Sequence, residues 1–145
     1  MTVAAPVSRV QRDPTAVLFL RAPDEVERFA PLWTTIEELV GLRGRRFYGA
    51  FYLGAHEYHV CVQTKAGDDA SALGLESGVL PGGGFLRWRL RGEAPAIYER
   101  IGPTFQTLRT LGEVDPDRPG IEFYRAHGEI DCLLPIIDTD AAHRG

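Results

Sequence analysis

Two stretches of this chain, roughly 15–64 and 84–137, pass through the same succession of patterns: a short strand, an amphipathic helix, then two strands. A duplicated order limits the fold more than any single motif does, because each copy presents one apolar helix stripe that its own strands must cover. In the first copy, Thr15-Ala16-Val17-Leu18-Phe19-Leu20 reads as a buried strand. Pro23-Asp24-Glu25 suits a helix start, since proline fits the first turn and the acids complement the dipole. Val26, Phe29, Leu32, Trp33, Ile36, Leu39 and Val40 then recur at helical spacing as far as Gly41 and Gly44. Pro31 marks either a later start or a bend. The segments 46–53 and 58–64 form a hairpin across Gly54-Ala55-His56.

In the second copy, Phe85 to Arg91 alternates strictly, with Leu86, Trp88 and Leu90 inward and Arg87, Arg89 and Arg91 outward. Pro95 opens a helical stretch carrying Ile97, Tyr98, Ile101, Phe105, Leu108 and Leu111, broken or kinked at Gly102-Pro103. Ile121 to Ala126 and Ile130 to Ile137 close the copy as two strands around His127-Gly128-Glu129. The expected fold is α+β: two strand–helix–strand–strand repeats with pseudo-two-fold symmetry, forming an antiparallel sheet with two helices and a central groove. Residues 1–13 read as a flexible lead-in, 14–137 as a single domain and 138–145 as a tail. Residues 66–84 read as a turn-rich connection ending in the flexible turn Gly82-Gly83-Gly84.

The 145 residues suffice for one domain with a sizeable core. A net charge of −4 and arginines scattered along strands speak against direct nucleic-acid binding. No apolar run approaches the length of a membrane span, and no signal-peptide pattern opens the chain, so a cytoplasmic location is expected. Cys61 and Cys132 both fall in apolar strands and read as small buried hydrophobes. His56 and His59 lack zincin spacing, and no metal site or cofactor is expected.

Within Ile121-Glu122-Phe123-Tyr124, one carboxylate sits in a run that otherwise favours a buried strand. Strand alternation puts Glu122 and Tyr124 on one face and Ile121 and Phe123 on the other. If the Glu122 face is inward, a cation or hydrogen-bond donor must meet the carboxylate; the competing reading is that it faces water. Trp33, Tyr48, Tyr52, Trp88, Tyr98 and Phe105 are candidate aromatic walls, each of which could equally be plain core.

Several stretches together resemble the GyrI-like superfamily of small-molecule-binding domains, also called the SOUL or effector-binding group. They are Tyr48-Gly49-Ala50-Phe51-Tyr52, Leu80-Pro81-Gly82-Gly83-Gly84-Phe85, Arg91-Gly92, Ile121-Glu122-Phe123-Tyr124 and Leu133-Leu134-Pro135-Ile136, in this order across residues 14–137. The resemblance implies multidrug-type binding: a groove walled by aromatics, with a buried glutamate that pairs with lipophilic cations. Glu122 matches that glutamate and Tyr124 its tyrosine partner, while Tyr48 and Tyr52 fall on a wall strand, with the choice between them open. The turn 125–129 is shorter than the family usually carries. The expected function is a stand-alone binding module for lipophilic, cationic or aromatic small molecules. The alternative is a small hydrolase of reactive molecules, with Glu122 as general base or electrostatic stabiliser and Tyr124 or Tyr52 assisting.

Overall fold

Alternation along the strands becomes eight strands of one antiparallel sheet in the computed structural model, which describes residues 7–23, 29–41, 43–52 and 56–137. The strands are β1 (Val7–Arg12), β2 (Thr15–Pro23), β3 (Phe47–Tyr52), β4 (Glu57–Gln63), β5 (Glu76–Leu80), β6 (Gly83–Arg91), β7 (Gly120–Ala126) and β8 (Glu129–Pro135). The helices are α1 (Phe29–Val40), the single turns α2 (Ala70–Leu73) and α3 (Ala96–Glu99), and α4 (Ile101–Leu108). Strand order across the sheet is β1-β6-β8-β7-β3-β4-β2-β5. Reversing that order exchanges β3 with β7, β4 with β8, β2 with β6 and β5 with β1, so the two repeats are related about the central β3–β7 pair.

Two segments expected to be loose are strands. Val7–Arg12, within the supposed lead-in, pairs with β6, and Glu76–Leu80, within the supposed connection, pairs with β2. Each adds an outer edge strand, which needs only one neighbour and little apolar alternation. Two-residue links join β1 to β2 and β5 to β6, although these strands lie toward opposite ends of the sheet order. The sheet must therefore curl until its ends approach one another. All eight strands then contribute to one cluster on the concave face, including Val10, Phe19, Tyr48, Leu80, Phe85 and Leu133. The glycine run is part of this closure: a Cβ at Gly82 would stand 2.4 Å from the Arg12 carbonyl and 2.7 Å from the Pro14 nitrogen.

The opposite face carries the helices and two separate cores. One joins α1 to β2 and β4 through Leu18, Ile36, Tyr58 and Val60. The other joins α3 and α4 to β6 and β8 through Leu90, Ile97, Leu108 and Leu134. Each repeat thus buries its own helix, and at the seam above β3 and β7 Phe47 and Phe51 pack against the first core and Tyr124 against the second. The second helical stretch divides at Arg100 rather than at Gly102-Pro103. Pro103 stands in the first turn of α4, where its missing N–H has no helical partner to lose. The start of α1 expected at 23–28 lies largely outside the described residues, and Pro31 occupies the first turn of the described helix. The expected turn at Gly54-Ala55 and the tail also lie outside them. Cys61 and Cys132 are buried free thiols on opposite faces. Among the described residues no helix is long and apolar enough to cross a membrane.

Candidate functional site

Register decides what meets Glu122. On β7 it pairs with Cys132 of β8 on one side and Gly49 of β3 on the other, and Gly49 pairs in turn with Val60 of β4. Alternation then puts Glu122, Tyr124, Phe47, Gly49, Phe51 and Tyr58 on the helix-bearing face. Glu122 is 3 % exposed. Its Oε1 accepts hydrogen bonds from the Tyr58 hydroxyl at 2.8 Å and the Tyr124 hydroxyl at 2.5 Å. Burial first, and the Glu122 charge next, hold both tyrosines well above the usual phenol range, so at neutral pH both are donors. Bonds from neutral donors to a carboxylate are among the stronger ones in proteins, which explains how an acid persists here. Gly49 makes the arrangement possible. A Cβ there would overlap the Tyr58 hydroxyl and stand 2.7 Å from Glu122 Oε1.

Above this floor, between α1 and the α3–α4 pair, lies a cleft of about 1300 Å³. Trp33 forms one wall, edge-on to Tyr124 at 4.9 Å and to Phe47 at 6.3 Å. Phe51 meets Tyr58 at 4.7 Å and, across the seam, Phe105 at 6.1 Å. Ile97 and Ile101 continue the apolar lining on the second repeat. Charged groups occupy the lip, and several are committed. Arg45 pairs with Asp68, Arg118 with Asp115, and Arg125 with Glu129.

The expected wall residues divide by location. Trp33 and Phe105 line the cleft, and Tyr98 stands half-exposed at its lip. Tyr48 and Tyr52 do not reach it. They share the parity opposite to Gly49, so both point into the concave core, where Tyr48 stacks on Phe123 at 4.8 Å and Tyr52 leans on His59 at 4.6 Å. Burial there pushes the Tyr52 hydroxyl up to about 12. Trp88 is on the correct face and in the same rung as Glu122, but two strands out, where it packs on the α3–α4 core instead of lining the cleft. Sequence reasoning passed over Tyr58, Phe47 and Phe51. The alternation Tyr58-Val60-Val62, with its aromatic end beside the hairpin turn, was the available signal for the first. Among the described residues no group of three or more His, Cys, Asp or Glu could hold a metal ion.

The Arg45–Asp68 pair on the lip carries a pH signature. Two guanidinium hydrogen bonds, at 2.7 and 2.8 Å, and the Lys65 N–H at 2.8 Å bring Asp68 from its ordinary 3.8 to about 2. A depressed carboxyl contributes its stability above the unfolded value and loses it as pH falls through the folded one. The melting temperature should therefore drop more steeply between pH 4 and 2 in the wild type than in Arg45→Ala. Parallel thermal melts across that window check the difference.

No protein-family model and no curated protein matches the chain. Solved structures do. The integron cassette protein VCH_CASS2, from the mobile metagenome of Vibrio cholerae, superposes with a TM-score of 0.75 at 12% identity, covering 91% of this chain and 96% of that one. SAV2435, solved bound to tetraphenylphosphonium, gives 0.66 at 11% identity, covering 95% and 98%. The C-terminal domain of EcmrR gives 0.61 at 10% identity, covering 94% and 99%. At such identities the likeness concerns the fold alone.

Proposed function

We propose that the seam cleft binds lipophilic organic cations, with Glu122 as charge partner and Trp33, Tyr124, Phe51 and Phe105 as the aromatic surfaces around the guest. The observation that carries this reading is a carboxylate 3 % exposed on the floor of an aromatic-lined cleft, held there by two phenol donors. A cation about 4 Å from such a carboxylate gains roughly 4 kcal/mol at an effective dielectric near 20, before desolvation is subtracted. A neighbouring ring face adds about 0.5 to 2 kcal/mol. Rings also provide apolar contact without fixing one ligand shape, which suits a range of guests. That SAV2435 takes up tetraphenylphosphonium on the same fold supports the choice of ligand class.

Calorimetric titration with tetraphenylphosphonium tests the charge pairing. Glu122→Gln keeps the shape and hydrogen-bond acceptance of the side chain but removes its charge, and should weaken binding about 10- to 100-fold. Triphenylphosphine oxide, a neutral guest of similar bulk, should bind both proteins alike. Equal phosphonium affinity in the two proteins would show that the carboxylate does not recognise the cation. Recovery of each guest unchanged after incubation separates binding from turnover.

A further inference from the structure

Resting on the cationic reading above, we infer that the cleft selects guests of two charges: a cation over Glu122 and, farther along the cleft, an anion met by Arg109 at the end of α4. The cleft exceeds the roughly 300–1,000 Å³ of a usual small-molecule pocket and extends to both sides of its carboxylate. On one side lie Tyr124, Phe47 and Trp33. On the other, two residues back along β7, lies Gly120, where a Cβ would be 3.4 Å from the Phe105 ring. The α4 residues that face the cleft follow helical spacing: Ile101, Phe105 and Arg109, with Gln106 beside them. Apolar contacts therefore occupy the first two turns, and a polar pair the last.

The lip arginines differ in what already holds them. Arg45, Arg118 and Arg125 are each bonded to a carboxylate, and Arg118 also to three carbonyls. Among the described residues, neither Arg109 nor Gln106 has a side-chain hydrogen bond or ion pair. The carbonyl end of α4 by itself disfavours an anion, so selection must come from the guanidinium. Distances along the two elements set the size of the guest. Glu122 to Gly120 is roughly 7 Å of strand, and Phe105 to Arg109 is roughly 6 Å of helix. A cation and an anion joined by a chain of about five or six carbons spans that gap.

The test compares (5-carboxypentyl)triphenylphosphonium with its primary amide, which keeps the cation and the chain but has no anion. Wild-type protein should bind the carboxylate about fivefold more tightly than the amide, the upper range for a pair at a solvated lip. Arg109→Gln should abolish that preference while leaving amide affinity unchanged, and raised salt should reduce it in the wild type. Amide bound as tightly as carboxylate by the wild type, or a preference that survives in Arg109→Gln, overturns the two-charge reading and leaves the cationic one standing. Failure of both compounds to bind overturns the two together.

Discussion

Gly49→Ala is expected to destabilise the fold by about 3 kcal/mol and to disable the cleft, although it adds a single methyl group on a strand. The size of the effect follows from what the methyl meets. It would overlap the Tyr58 hydroxyl and stand 2.7 Å from both Tyr58 Cζ and Glu122 Oε1. Tyr58 has little freedom to retreat, being 1 % exposed and set against Phe51 at 4.7 Å. Overfilling a packed site costs about 1–3 kcal/mol, and weakening a hydrogen bond to a buried charge adds roughly 1.5–3 kcal/mol. At this chain length about 3 kcal/mol corresponds to a melting shift of roughly 10 °C. Tyr58→Phe alone should also destabilise, by removing a donor from Glu122. Combining the two should cost at least 1 kcal/mol less than their sum, because the second change removes the atom the first one strikes. Urea unfolding of the four proteins measures the coupling. Strict additivity would mean that Gly49 is small for another reason.

The same glycine shows why part of the site was legible in the sequence and part was not. Alternation within a segment needs no partner, so Glu122 and Tyr124 could be placed together, as could Leu86 with Leu90. Register between segments does need one. Nothing local to Tyr48-Gly49-Ala50 says that Gly49, and not a tyrosine, stands beside Glu122; that follows only from the β3–β7 pairing of residues 69 to 77 positions apart. Tyr48 and Tyr52 were therefore plausible walls until pairing turned their common face to the concave core. Trp88 was assigned its correct face and failed on distance across the sheet, which alternation does not measure. The edge strands were missed for a further reason. Val7-Ser8-Arg9-Val10-Gln11-Arg12 is polar at most positions, and its backbone pairing with β6 supplies the order that its side chains do not advertise.

A second large effect is expected at Arg118, which stands at the far end of the cleft and holds the curled sheet together. Its guanidinium donates to the carbonyls of Gly82 and Gly84, both at 3.1 Å, and of Ile136 at 2.7 Å, to Asp115 at 2.8 Å, and lies 5.0 Å over the Phe85 ring. One side chain thus ties the β5–β6 link to the close of β8 and to the turn leading into β7. Gly83 accommodates it, since a Cβ there would stand 2.6 Å from Nη1. Arg118→Ala withdraws donors from these carbonyls and leaves Asp115 with the Asp117 N–H at 3.0 Å. Loss of several bonds to a charged, largely enclosed group should cost about 3 kcal/mol, read as a lower urea midpoint at pH 7. Arg118→Lys should restore less than half of it, because an ammonium cannot reproduce a planar fork aimed at separate acceptors. Asp115 supplies an independent readout. Arg118 first, and the Asp117 N–H next, hold its carboxyl below the ordinary range, so it contributes stability that disappears as pH falls. In Arg118→Ala the carboxyl rises toward its ordinary value, and stability should depend less on acid than in the wild type. Well below its melting temperature, Arg118→Ala should still bind tetraphenylphosphonium within about threefold of the wild type, since the guanidinium braces the sheet and does not meet the cation. Intact stability in Arg118→Ala would count against the bracing, and a collapse of cation affinity in a folded Arg118→Ala would place Arg118 among the groups that form the cation site.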